Sequence, residues 1–141
     1  MESPGRQDSI ASRGKAVTDT TLLHRQINPS FVQNGRVTSQ AFKPTSKDSG
    51  LLSVYDGDLI AARDSWTHFT AVQGFSSAGV YSVSVAERNQ IDLPVRPDPA
   101  PFPEHAVIDF TPFSGGQVES KAKKLRAAAA ARGWQHQAEP A

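Results

Sequence analysis

The chain has 141 residues, with 15 basic side chains, 14 acidic side chains and no cysteine. This length corresponds to one ordinary domain, and the near-zero net charge argues against a general nucleic-acid binder. The absence of cysteine excludes a disulfide framework, a thiolate metal site and a thiol nucleophile. Because the sequence also has no apolar run of signal-peptide or membrane-span length, we predict a cytoplasmic protein without a membrane partner.

The two ends of the chain differ in composition from its middle. Residues 1–20 are rich in Ser, Gly, Arg and Asp and contain almost no large apolar side chains. Ordering such a segment costs backbone entropy that little apolar burial offsets, so we predict a disordered N-terminal tail. A single domain is predicted over residues 21–134, followed by a frayed C-terminus at residues 135–141.

The first half of the domain predicts three strands and one helix. Residues 22–27 form the first strand, which an Asn-Pro-Ser turn at 28–30 ends. After a polar loop, residues 39–43 are predicted as a short strand and residues 51–55 as a clearer one. Apolar residues then recur at helical spacing, which predicts a helix over 59–69 with Asp58 as its N-cap.

The second half predicts two further strands and a C-terminal helix. Residues 80–85 alternate between apolar and serine side chains, which predicts a half-buried strand. The segment that follows is rich in proline: Pro94, Pro97, Pro99, Pro101 and Pro103. These prolines predict an extended connector rather than a helix, and the alternative is a polyproline ligand for an aromatic groove. A strand is predicted over 105–110, and the Ser114 and Gln117 spacing predicts a capping box for a helix that ends at Gly133.

This order of elements predicts an α+β fold. The helices are too few to connect successive parallel strands. We therefore expect one small mixed or antiparallel sheet of about five strands, with two main helices.

Metal binding is not predicted, because the four histidines lie more than thirty residues apart and none has a second ligand at helical spacing. The basic residues of the C-terminal helix predict a solvated face, with an acidic partner or nucleic-acid backbone as the alternative. The polar stretch over 22–44 is the densest candidate site. His24 and Arg25 point to opposite faces of the predicted first strand, so only one of them can reach a shared pocket.

Four short motifs carry a family resemblance: HR at 24–25, GR at 35–36, SQAF at 39–42 and LLSVY at 51–55. Residues 22–56 resemble the front half of ADP-ribosyltransferase-like domains, including the small bacterial toxin types. The resemblance implies that His24 or Arg25 holds NAD and that Ser39 or Tyr55 lies near the nicotinamide ribose. It implies Glu104 as the late carboxylate. The whole chain is also similar to small bacterial proteins of unassigned function.

Two functional predictions follow. Glu104 lies in a proline-rich approach rather than inside a predicted strand, so the sequence yields no complete catalytic set. We therefore expect a non-catalytic interaction or accessory module that needs no cofactor and contacts a protein partner. The alternative is an NAD-dependent ADP-ribosyltransferase-like enzyme, or an inactive relative of one.

Overall fold

The computed structural model describes residues 20–44, 49–86 and 91–138. Most of the predicted N-terminal tail, and residues 139–141, lie outside these ranges. The strands are β1 (Leu22–Gln26), β2 (Val32–Gln33), β3 (Arg36–Val37), β4 (Leu51–Asp56), β5 (Gly79–Ser84), β6 (Val95–Pro97), β7 (His105–Asp109) and β8 (His136–Gln137). Six of them form one sheet in the order β6-β7-β4-β1-β5-β8, and β2 and β3 form a separate hairpin. Every neighbouring pair in the main sheet is antiparallel.

Both faces of this sheet are covered by α-helix. The first helix, α1 (Ala62–Thr67), continues into a π-helical turn, His68–Val72. The second, α2 (Gly115–Arg132), begins with the predicted capping box, in which the Ser114 backbone N–H donates to Gln117 Oε1 at 3.0 Å. The predicted α+β class is therefore confirmed.

The core lies between the sheet and α2. Leu125 of α2 is fully buried and belongs to the same apolar cluster as Leu23 of β1 and Val83 of β5. Burying one leucine side chain contributes about 1.5–3 kcal/mol to folding. Because side chains alternate along a strand, His24 points from β1 toward the face that α1 covers.

Covering by α1 explains one departure from prediction. The serine side of β5 was predicted to face solvent, but Ser82 is fully buried. On this second face, Gln26 of β1 donates through Nε2 to the Ser65 hydroxyl of α1 at 3.0 Å, and Ser77 donates to Gln26 Oε1 at 2.9 Å. The contact between α1 and the sheet is thus polar and hydrogen-bonded, whereas the contact with α2 is apolar.

Two local predictions are wrong. The segment predicted as a strand over 39–43 forms a 3-10 turn, Ser39–Phe42, because two consecutive residues, Ala41 and Phe42, both bury their side chains in the core. A strand would have placed them on opposite faces. Asp58 does not cap α1: its backbone N–H donates to Asp56 Oδ1 at 2.9 Å in a turn that precedes the helix.

The edges of the sheet account for the additional strands. The proline-rich segment is extended, as predicted, and it supplies the edge strand β6, a position that tolerates proline. Residues 98–104 then form the loop of the β6–β7 hairpin. At the opposite edge, His136 and Gln137, which were predicted to fray, form β8 against β5.

Candidate functional site

A cleft of about 450 Å³ opens beside the junction of β1 and β4. The two strands pair through Leu23 with Asp56 and through His24 with Tyr55. The Arg25 guanidinium bridges the strands beyond that point, because Nη1 donates to the carbonyl oxygen of Ser53 at 2.9 Å. The residues that line the cleft are Arg25, Gln26, Ser53, Val54, Tyr55, Phe69, Gln73, Phe75, Pro101, Phe102 and His105.

Aromatic rings form the walls of the cleft. Tyr55 packs on Phe102 with ring centroids 5.1 Å apart, and Phe102 packs on His68 at 4.7 Å. Across the opening, Phe69 and Phe75 lie 5.1 Å apart. Phe75 is 58% exposed and stands at the rim. A ligand entering the cleft therefore meets apolar, aromatic surface first.

A serine, a histidine and an aspartate form a polar chain at the cleft. His105 Nε2 lies 3.1 Å from Ser53 Oγ, and His105 Nδ1 lies 2.9 Å from the carbonyl oxygen of Asp98. The Asp98 carboxylate is also close, with Oδ2 at 3.3 Å from Nδ1. His105 is 8% exposed, whereas Ser53 is exposed.

The sheet register places these groups. In the antiparallel pair of β4 and β7, Tyr55 stands opposite His105 and Ser53 opposite Val107. Ser53 and His105 are therefore diagonal neighbours on one face, within reach of each other. Asp98 is held at the start of the hairpin loop, where its N–H donates to the His105 carbonyl oxygen at 2.9 Å.

His24 pairs with Tyr55 in the sheet but does not line the cleft. Its Nδ1 is 2.7 Å from Ser82 Oγ, and the ring is 4% exposed. Burial lowers the pKa of His24 below its ordinary value, and this effect is larger than that of a backbone hydrogen bond at Ile60, which raises the pKa. The neutral ring is thus part of the polar layer between the sheet and α1.

Tyr55 lines the cleft and remains protonated over the physiological range. Its hydroxyl lies 2.8 Å from His68 Nδ1. Burial, and then the negative charge of Glu104, raise the pKa of Tyr55 to about 12. Glu104 is therefore close enough to act on Tyr55, although its side chain is not among those that line the cleft.

Arg25 and Ser39 are in different places. Arg25 lines the cleft with Tyr55, and its Nε also donates to the Ala41 carbonyl oxygen at 2.7 Å. Ser39 lies at a second, more open cavity of about 680 Å³, between the β2–β3 hairpin and α2, where Arg36 and Arg126 also lie. The structure thus brings Arg25, Tyr55 and Glu104 to one region, buries His24 outside the lining of the cleft and places Ser39 at the other cavity.

The Ser53, His105 and Asp98 arrangement was missed in the sequence. Ser53 and His105 fall in two separate predicted strands, 51–55 and 105–110, and nothing in the sequence relates one to the other. Asp109, the acidic residue four positions after His105, pairs with Arg96 at 2.9 Å. Ser53 and Tyr55 are two positions apart on one strand, so their side chains point to the same face of the sheet. That fact identifies a contact with His105 only when the partner strand and its register are known.

Two further findings concern the described ranges. Among residues 20–44, 49–86 and 91–138, no group of three or more metal-ligating side chains is placed to hold a metal ion. Within the same residues, none of the helices has the length and apolar composition that crossing a bilayer requires.

Comparisons with known proteins gave no match for the chain. No protein-family model, no curated protein and no solved structure is significantly similar to it.

Proposed function

We propose that the protein is an interaction module that binds an aromatic or apolar side chain of a partner protein in the cleft. The observation that carries the proposal is the aromatic lining of a cavity of about 450 Å³. Ligand sites in proteins are typically concave, mostly apolar and of 300–1,000 Å³, with a few polar groups that orient the ligand. Ser53 and His105 supply such groups here.

The rim of the cleft supports a protein partner. Phe75, which lines the cleft, is 58% exposed, and Val72, three residues earlier in the chain, is 72% exposed. A large exposed apolar side chain at the mouth of a cavity is typical of interaction surfaces. In such interfaces an aromatic anchor fills a pocket, while the surrounding contacts exclude water.

A small probe of the anchor side chain tests this proposal. N-acetyl-tryptophanamide is titrated into the ¹⁵N-labelled full chain, and amide chemical shifts are followed by NMR. We expect the shifts to concentrate at Gln26, Ser53 and Gln73. A Phe75→Ser variant should weaken binding about fivefold, since the lost apolar contact is worth about 1 kcal/mol.

Leu59→Ser is the matched control, because Leu59 is also a large exposed apolar residue, at 49%, and does not line the cleft. The control should bind the probe like the unmodified chain. Shifts scattered over the whole surface, or equal effects of the two variants, would contradict the assignment of the cleft.

The second candidate is an NAD-dependent ADP-ribosyltransferase-like activity. It is favoured by the position of Arg25 and Tyr55 in one cleft, with Glu104 acting on Tyr55. In this reading the cleft takes the nicotinamide end of NAD and Glu104 is the carboxylate that the transfer needs.

A thermal-shift series with NAD tests the second candidate. NAD at about 100 times its dissociation constant should stabilise the chain by about 2.7 kcal/mol. Arg25→Ala should abolish the shift, whereas Ser39→Ala, outside the cleft, should keep it. The absence of any shift at millimolar NAD would remove this candidate.

A further inference from the structure

We propose that Ser53 is a nucleophile that cleaves esters of small apolar or aromatic acyl groups, with His105 as its general base. The proposal goes beyond binding and rests on the proposed function only for the cleft as the place where ligands enter. Its basis is the chain of contacts from Ser53 Oγ to His105 Nε2 at 3.1 Å and from His105 Nδ1 to Asp98. A nucleophile within hydrogen-bond reach of a base that a third group orients is the usual signature of nucleophilic catalysis.

The hydrogen-bond partners determine which nitrogen of His105 carries the proton. A carbonyl oxygen can only accept, so Nδ1 must donate to the Asp98 carbonyl oxygen at 2.9 Å. In the neutral ring, Nε2 is then unprotonated and accepts the Ser53 hydroxyl hydrogen. This is the tautomer that a general base for Ser53 requires. The Asp98 carboxylate, 3.3 Å from Nδ1, can stabilise the imidazolium that forms, so Asp98 is a positioning residue.

Accessibility separates this pair from a second one in the same sheet. Ser82 and His24 also form a serine–histidine contact, at 2.7 Å, but they are 0% and 4% exposed. A substrate cannot reach that hydroxyl. Ser53, in contrast, is exposed and lines the cleft.

Arg25 supplies a positive charge beside the nucleophile. Its Nη1 donates to the carbonyl oxygen of Ser53 at 2.9 Å, and Arg25 is among the residues that line the same cleft. A cation held this close to the nucleophile's backbone would favour the negative oxygen of the tetrahedral intermediate. The rings of Phe69, Phe75 and Phe102 would hold the apolar part of the substrate.

The reaction runs in two balanced steps. Ser53 Oγ attacks the ester carbonyl carbon and its proton passes to His105 Nε2; the ester C–O bond then breaks, and the leaving alkoxide takes that proton and departs as an alcohol. In the second step, water attacks the acyl-serine as its proton passes to Nε2. The Ser53 oxygen leaves, recovers this proton, and the carboxylic acid is released.

The test uses p-nitrophenyl acetate and phenylmethanesulfonyl fluoride with the full chain. We expect hydrolysis of the ester, and sulfonylation at Ser53 located by peptide mass mapping. Ser53→Ala should lower kcat/KM at least about 100-fold and abolish the label. His105→Gln should do the same, and Asp98→Asn should lower kcat with KM unchanged, with recovery in Asp98→Glu.

Ser120→Ala, an exposed serine on α2, is the matched control and should retain both hydrolysis and labelling. Folding of each variant is checked by circular dichroism, and Ser53→Ala is the decisive variant because its side chain is exposed. Labelling at Ser82, labelling at no serine, or equal hydrolysis by Ser53→Ala and Ser120→Ala would overturn the proposal. Binding of N-acetyl-tryptophanamide separates the two proposals, and Ser53→Ala should still bind this probe. If the unmodified chain binds the probe but does not hydrolyse the ester, the proposed activity is refuted and the proposed binding is not.

Discussion

Stability should fall as the pH is lowered through the range in which a free histidine takes up a proton, because of His24. Burial holds the pKa of His24 below the value of 6.5 that it has in the unfolded chain. In this range the unfolded state therefore binds more protons than the native state, and stability decreases as the pH falls. If the native ring stays neutral, lowering the pH from 7.5 to 5.5 costs about 1.4 kcal/mol.

Urea unfolding at several pH values between 5.5 and 7.5 measures this effect. The free energy of unfolding of the unmodified chain is compared with that of His24→Gln at each pH, so that contributions from all other titrating groups cancel. Hydrogen bonds from Thr111 and Lys43 lower the pKa of Asp109 and of Glu119, respectively, which places both carboxylates below this pH window. The difference between the two chains should decrease as the pH falls over the window, and about 1.4 kcal/mol is the upper limit of the change, reached if the native ring stays neutral.

A third variant separates burial from hydrogen bonding as the cause. Ser82→Ala removes the hydroxyl partner and should lower stability by about 1 kcal/mol, but it leaves the ring buried. The pH dependence should therefore persist in this variant. If the unmodified chain and His24→Gln show parallel stability curves, the reasoning from burial is refuted.

Three other changes test separate parts of the structure. Gln26→Met removes two buried hydrogen bonds to α1 and the loop before β5 and should lower the urea-unfolding free energy by about 1–3 kcal/mol; unchanged stability would show that these bonds contribute nothing net. Absorbance at 295 nm should show a tyrosine titrating near pH 12, and this titration should be absent in Tyr55→Phe. In Glu104→Gln the pKa of Tyr55 should move only partly toward 10, because burial is the larger cause of its shift; a complete return to 10 would contradict that order. Gly79→Ala should lower the free energy of unfolding by at least about 2 kcal/mol, since φ is +152° and the new Cβ would lie 2.8 Å from the Trp134 ring; a smaller loss in thermal or urea unfolding would show that the backbone relaxes there.

Elements with a strong local signal could be predicted from the sequence. The alternation along β5 and the Ser114 and Gln117 spacing of α2 depend on neighbours in the chain, so they are visible without the fold. The prediction for the segment over 39–43 was wrong because a short run with adjacent apolar residues, Ala41 and Phe42, does not by itself distinguish a strand from a buried turn. β8 was missed since its two residues gain their structure only by pairing with β5.

The candidate site was predicted only in part for the same reason. Arg25 belongs to the polar stretch over 22–44 that was predicted as the candidate site, Tyr55 belongs to the strand predicted over 51–55, and both residues line the cleft. The contact between Ser53 and His105 depends on the register of β4 against β7, across 52 positions of sequence. No spacing rule spans that distance, so the pair becomes visible only in the folded sheet.

The two edge strands of the main sheet affect how readily copies of this chain can pair through their backbones. β6 has three residues, and its Pro97 lacks an N–H, while β8 has only two residues. Short edge strands and edge prolines leave few groups with which another strand can pair. The protein should therefore resist aggregation through its sheet edges.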